Sequence, residues 1–89
     1  MRDSRLTPVD WIWINAQEDR GLWPLWAPGP DGSELVEFWS SWTSPEPELV
    51  MELAPPARYT IRGRGGRLLG RGTTARDAFL RAAAIALVA

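Results

Sequence analysis

No cysteine, histidine or lysine occurs in these 89 residues, and each absence removes a class of chemistry. Without Cys there can be no disulfide and no thiolate metal site, and nothing points to an oxidising compartment. Without His the chain lacks the usual general base and the commonest metal ligand. Without Lys every cation is an Arg, charged at any physiological pH; a GC-rich genome is the preferred account of that bias over a functional one. Ser40, Ser41 and Ser44 therefore have no base to activate them, and no pair of acids stands out by its spacing. The sequence reads as non-enzymatic, with no catalytic residue, no metal ligand and no cofactor expected. Long hydrophobic runs are missing too. The start, MRDSRLTPVD, has no apolar stretch of the kind a secretory signal carries. The apolar stretch at 78–89 is shorter than the roughly 20 residues that span a bilayer. A cytoplasmic protein that does not enter membranes is the expectation.

What is present is aromatic and sorted by charge. All six Trp (Trp11, Trp13, Trp23, Trp26, Trp39 and Trp42) precede residue 43. A chain this short is one domain, near the size at which folding buries only about 60% of the unfolded surface. Each aromatic side chain can bury roughly 150–250 Å², so the Trp set can supply much of a core. Residues 1–57 hold three Arg against ten acids, a net −7, and residues 58–89 hold seven Arg against Asp77 alone, a net +6. The overall charge of −1 is thus a near-cancellation between an acidic, Trp-rich part and a basic part. Such asymmetry points to a charged partner or to self-association. The acidic elements and the basic hairpin are expected on different faces, where two copies could pair them.

Turn and cap signals divide the chain. Thr7-Pro8-Val9-Asp10 reads as a helix start, with Thr as N-cap and Pro at the first helical position, and Gly21 reads as the C-cap after Arg20. A strand is the alternative for the β-branched and aromatic run Val9–Ile14. Leu22 to Gly32, with three Pro, reads as irregular or as a short edge strand ending in the turn Pro30-Asp31-Gly32. Leu35, Phe38, Trp39 and Trp42 fall at i, i+3, i+4 and i+7, which predicts a helix capped by Ser33 with Glu34 and Glu37 pointing outward. A strand over Glu34–Trp39 shows weaker alternation. Ser44-Pro45-Glu46-Pro47-Glu48 predicts a second short helix through Leu53, ended by Pro55-Pro56. Two short strands around Gly63-Arg64-Gly65-Gly66 predict a hairpin. Thr73 or Thr74 then caps an Ala-rich helix from Ala75, apolar beyond Arg81 and expected to be buried or to form half of an interface.

Two sets of residues are candidates for binding. Arg58, Arg62, Arg64, Arg67 and Arg71 surround an Arg-Gly-Gly turn, the composition of segments that grip phosphates and stack on bases. The alternative is a glycine turn whose cations are solvated and guard an edge strand. Trp23 and Trp26, in the proline-rich stretch, are the aromatic anchors expected to stay partly exposed, aromatics being enriched in binding hot spots. Trp39-x-x-Trp42 is a second pair of the same kind, read mainly as core.

The last third, a short hairpin followed by Gly70-Arg71-Gly72-Thr73-Thr74-Ala75-Arg76-Asp77-Ala78-Phe79-Leu80-Arg81-Ala82-Ala83, resembles the ending of small phage and prophage accessory proteins of the ABA-sandwich type. The resemblance covers about a third of the chain, and the Trp-rich first half departs from it. It implies a small α+β protein that acts by binding a larger host or phage assembly, and it carries over no functional residue. The expectation is a single α+β domain over residues 1–89: a Trp-rich helical part at 1–57, then a β-hairpin and a buried C-terminal helix at 58–89. A protein partner is expected first, with nucleic acid gripped by the Arg hairpin as the alternative and a homo-oligomer seam on the C-terminal helix.

Overall fold

A computed structural model describes residues 4–88, with side chains described as far as Ala83. The capping signals at the start act as written. Thr7 caps helix α1 (Pro8–Asn15), its side chain accepting from the Asp10 amide while the Asp10 carboxylate accepts from the Thr7 amide, a reciprocal capping box. A 3₁₀ turn over Ala16–Arg20 continues it, and Gly21 ends it at φ 78°, where a residue without Cβ carries no steric penalty.

Five strands follow: β1 (Trp23–Pro28), β2 (Glu34–Trp39), β3 (Leu49–Ala54), β4 (Arg58–Gly63) and β5 (Leu68–Gly72). They pair antiparallel in chain order, each with the next, to form one meander. The turn after β1 uses Pro30–Gly32, and the β4–β5 hairpin turns through Arg64–Gly66. Helix α2 (Ala75–Val88) closes the chain, the Asp77 amide bonding back to the Thr74 hydroxyl.

Two of the expected helices are strands. Over Glu34–Trp39, the residues Glu34, Val36 and Phe38 are buried while Leu35, Glu37 and Trp39 are half-exposed, a period of two. The helical spacing was produced by apolar residues on both faces of one strand. In β3, Met51 and Leu53 are buried between half-exposed Val50, Glu52 and Ala54, and the Pro-Glu segment before it is a loop instead of a helix cap. The first half is therefore not helical beyond residue 20 apart from a single 3₁₀ turn. Glu34, expected on the outside, is buried.

Both helices lie on one side of the sheet. Ile14 from α1 and Ala75, Ala78 and Phe79 from α2 join Val36, Phe38, Met51, Leu53, Tyr59 and Ile61 in one core, and the Phe38 and Phe79 rings meet edge to face with centroids 5.7 Å apart. Trp11, Trp13 and Trp26 pack around its rim. Helix α2 sits directly on β5, because a Cβ added at Gly70 would stand 2.5 Å from the Ala78 carbonyl oxygen and 2.6 Å from the Ala82 nitrogen. Up to Ala83 this helix is covered on one side only, with Leu80 and Arg81 exposed. Ile85 and Leu87, expected at its buried seam, lie outside the described side chains. Among the described residues the other face of the sheet carries no helix. Among the described residues no helix is long and apolar enough to cross a membrane.

Candidate functional site

Cross-strand register fixes what the uncovered face presents, since residues directly opposite each other on neighbouring strands point the same way. At one end, Trp23 on β1 stands opposite Trp39 on β2. One step along the same face, Leu25, Glu37, Val50, Arg62 and Leu68 stand in a row, one from each strand. The next row is Ala27, Leu35, Glu52, Thr60 and Arg71, with Arg58 beyond it opposite Ala54. The face thus runs from aromatic and apolar on β1, through acids on β2 and β3, to Arg on β4 and β5.

Acids and cations share one face. The charges were expected on different faces, but the outward positions of successive paired strands bring Glu37 and Glu52 onto the same surface as Arg58, Arg62 and Arg71. Register across a meander, which the order of residues along the chain does not reveal, decides this.

Trp23, Leu25, Trp39, Ser41 and Trp42 line an open groove of about 650 Å³ at the β1–β2 end of the face. Trp42, on the loop after β2, is 96% exposed, and Trp23 and Leu25 are about half exposed at 49% and 53%. The Trp39 indole N–H donates to Glu37 at 3.2 Å, which leaves its ring against the groove. An apolar groove of this kind, whose lining side chains are aromatic or aliphatic apart from the Ser41 hydroxyl and offer no ionisable group, suits apolar contact rather than polar chemistry.

The expected site residues divide between the two faces. Trp23 lies in the groove. Trp26 points to the helical side, half-buried, and its indole donates to Glu34 at 2.9 Å. Arg58, Arg62, Arg64, Arg67 and Arg71 are all exposed. Arg62 donates to the Gly66 carbonyl at 3.1 Å within the hairpin, and Arg64 pairs at 2.5 Å with Glu48 in the loop before β3, so two of these five are engaged within the chain. Trp42 was placed on the buried side of a helix that does not form; its neighbours Ser40, Ser41 and Ser44, a turn-forming run, are the signal for a loop.

The buried polar groups are structural. Asp10 accepts from the Tyr59 hydroxyl at 2.5 Å, the Thr7 amide at 3.0 Å and the Ala75 amide at 3.3 Å, tying α1, β4 and the start of α2 together. Burial, the hydrogen bond to Asp10 and the negative charges of Asp10 and Glu34 hold the Tyr59 phenol above its ordinary value. Glu34 accepts from the Ser4 hydroxyl at 2.5 Å, the Arg5 amide at 2.7 Å and Trp26. Burial pushes its carboxyl up, but those three hydrogen bonds and the Arg5 guanidinium outweigh burial and hold it below the usual carboxylate range. The side-chain oxygen of buried Gln17 has no hydrogen-bond partner among the described residues. Among the described residues no three acids gather as a metal site would require.

Comparison of the chain with protein-family models, with curated proteins and with solved structures found no match. The reading of the site rests on its own residues.

Proposed function

We propose that this chain is a non-enzymatic binding protein whose contact surface is the uncovered face of the sheet. The observation that carries this reading is the solvent-facing groove of Trp23, Leu25, Trp39 and Trp42. Isolated exposed apolar residues are ordinary, but contiguous aromatic patches mark interaction sites. The partner that suits the groove is a protein surface offering an apolar ridge flanked by cations, because Glu37 stands in register beside Leu25. The role is that of an accessory or inhibitor-like protein of phage type, acting in the cytoplasm on a larger assembly. Asp10 and Glu34, the acids with the most hydrogen bonds, are committed to the fold, which supports binding over catalysis.

Nucleic acid is the second reading, favoured by the shared direction of Arg58, Arg62 and Arg71. A strand tracking from those cations to the stacking surface of Trp23 and Trp39 would pass over Glu37 and Glu52, which repel phosphate. The protein reading is therefore preferred.

Capture experiments with the wild-type chain and a Trp23→Ala, Trp42→Ala variant, with and without nuclease, separate the two. Capture that survives nuclease and is lost in the variant is the expected result, since truncating a hot-spot Trp costs about 2 kcal/mol or more of binding energy. Capture that vanishes with nuclease, or that the variant retains in full, overturns it.

A further inference from the structure

We propose that the occupant of the uncovered face is a second copy of this chain, the two sheets packing face to face about a two-fold axis that runs along β3. The inference rests on the reading of that face as the contact surface, and it names the partner.

The row Leu25, Glu37, Val50, Arg62, Leu68 is what points to it. Its character is the same read from either end once acid and base are exchanged: apolar, acid, Val, base, apolar. A two-fold axis along the central strand places β1 over β5 of the second copy and β2 over β4. Leu25 then faces Leu68, Glu37 faces Arg62, and Val50 faces its own equivalent. Leu25 and Leu68 are 53% and 41% exposed in the single chain, so both have apolar surface to cover. Packed sheets stand about 10 Å apart and within roughly 30° of alignment, so the correspondence is closest near the axis, where the charged pair lies.

The groove and the hairpin turn match in the same way. The Trp23–Trp39 pair and the Arg64–Gly66 turn lie at the same end of the sheet, on opposite sides of β3. The axis brings the turn of one copy to the groove of the other. Gly65 and Gly66 have open space where a Cβ would stand, so a slim backbone can approach, and an Arg guanidinium is the cation that stacks best on an indole. The groove and the Arg-Gly-Gly turn thus become one interface. The second row matches less closely: Ala27 faces Arg71, Leu35 faces Thr60, and Glu52 lies near its own equivalent across the axis, with Arg58 diagonal to it on β4.

Other arrangements fit less well. An axis across the strands would set Glu37 against Glu37 and Arg62 against Arg62. Edge pairing through β1 is opposed by Pro24 and Pro28, which have no N–H to offer. Strand spacing of about 4.8 Å and a rise of about 3.3 Å per residue give a face on the order of 450 Å² per copy. That is below the roughly 800 Å² per partner of a standard interface, so the dimer is reversible and concentration-dependent.

Charge reversal tests it. Glu37→Arg sets like charges together on both sides of the axis, and so does Arg62→Glu; each variant alone should dimerise at least about tenfold more weakly than wild type by sedimentation velocity. An equimolar mixture of the two variants restores both opposite pairs and should return to within a few-fold of wild type. Circular dichroism verifies that each variant is folded, and Leu68→Glu, on an exposed position of β5, gives a third disruption independent of Glu37 and its bond to Trp39. Wild type that stays monomeric to millimolar concentration overturns the proposal. So does a dimer indifferent to either reversal, which would place the seam elsewhere, as on α2, and so does a mixture that fails to recombine. A monomeric chain that still loses protein capture on Trp23→Ala, Trp42→Ala removes the second copy as occupant while keeping the face as a binding surface.

Discussion

Asp10 shows how much one side chain can hold in so small a domain. Its carboxylate closes the capping box of α1, receives the Tyr59 hydroxyl from β4 and receives the first amide of α2. Only the place of Asp10 in the first turn of a helix capped by Thr7 was legible in the sequence, because the Tyr59 and Ala75 partners lie 49 and 65 residues away. Asp10→Ala leaves several donors without a partner and should cost about 3 kcal/mol, whereas Tyr59→Phe removes one hydrogen bond and should cost about 0.5–1.5 kcal/mol. Urea denaturation midpoints give the order, and equal losses would show that Asp10 serves Tyr59 alone. The titrations act at opposite ends of the pH scale. Glu34 is held below its ordinary value, so its contribution is present above the unfolded value near pH 4.3 and is lost as pH falls through the folded one. Tyr59 is held above its ordinary value, so its contribution is present below about pH 10 and is lost as pH rises further. Thermal melting across pH should fall off at both ends; Tyr59→Phe should remove part of the alkaline loss, and an unchanged alkaline limb would contradict the assignment.

At the scale of elements, the sequence was most legible where caps and glycines dictate the backbone and least where both faces of a strand are apolar. Thr7, Gly21, the Arg64–Gly66 turn and Thr74 mark α1, its end, the hairpin and α2. The strands β2 and β3 were hidden. Leu35 and Trp39 are apolar although they lie on the uncovered face, and their presence beside Val36 and Phe38 mimics a helical stripe. The misreading therefore coincides with the candidate site, as happens when a position answers to something other than the core. The contact of α2 with β5 gives a second test. Gly70 has no room for a Cβ against the Ala78 carbonyl, so Gly70→Ala should overpack the contact and cost about 1–3 kcal/mol. Chemical denaturation checks this, and a neutral result would show that α2 can shift along the sheet without loss.

Across the whole molecule, the sorting of charge along the chain becomes a gradient across one sheet. The meander converts sequence order into spatial order, so the acidic first part supplies β1 to β3 and the basic part supplies β4 and β5. Within one copy few of these charges meet: among the described residues the ion pairs are Arg64 with Glu48 and Arg76 with Asp77, both partly exposed. Exposed pairs contribute about 0–1 kcal/mol each, so salt should move the unfolding midpoint little. The proposed dimer responds differently, because its charged row is brought together only on association. Raising ionic strength from about 0.1 M to 1 M shortens the screening length from about 10 Å to 3 Å, which weakens the Glu37–Arg62 contacts but leaves the burial of Trp23, Leu25, Trp39 and Leu68 intact. Self-association should therefore fall by a few-fold and persist, while its rate of formation falls further, since opposite charges act mainly on encounter and register. Stopped-flow tryptophan fluorescence and sedimentation over the same salt series measure the two effects. Complete dissociation in the high-salt arm, with the fold intact, would mean that charge holds the copies together and that the apolar end of the face stays in water.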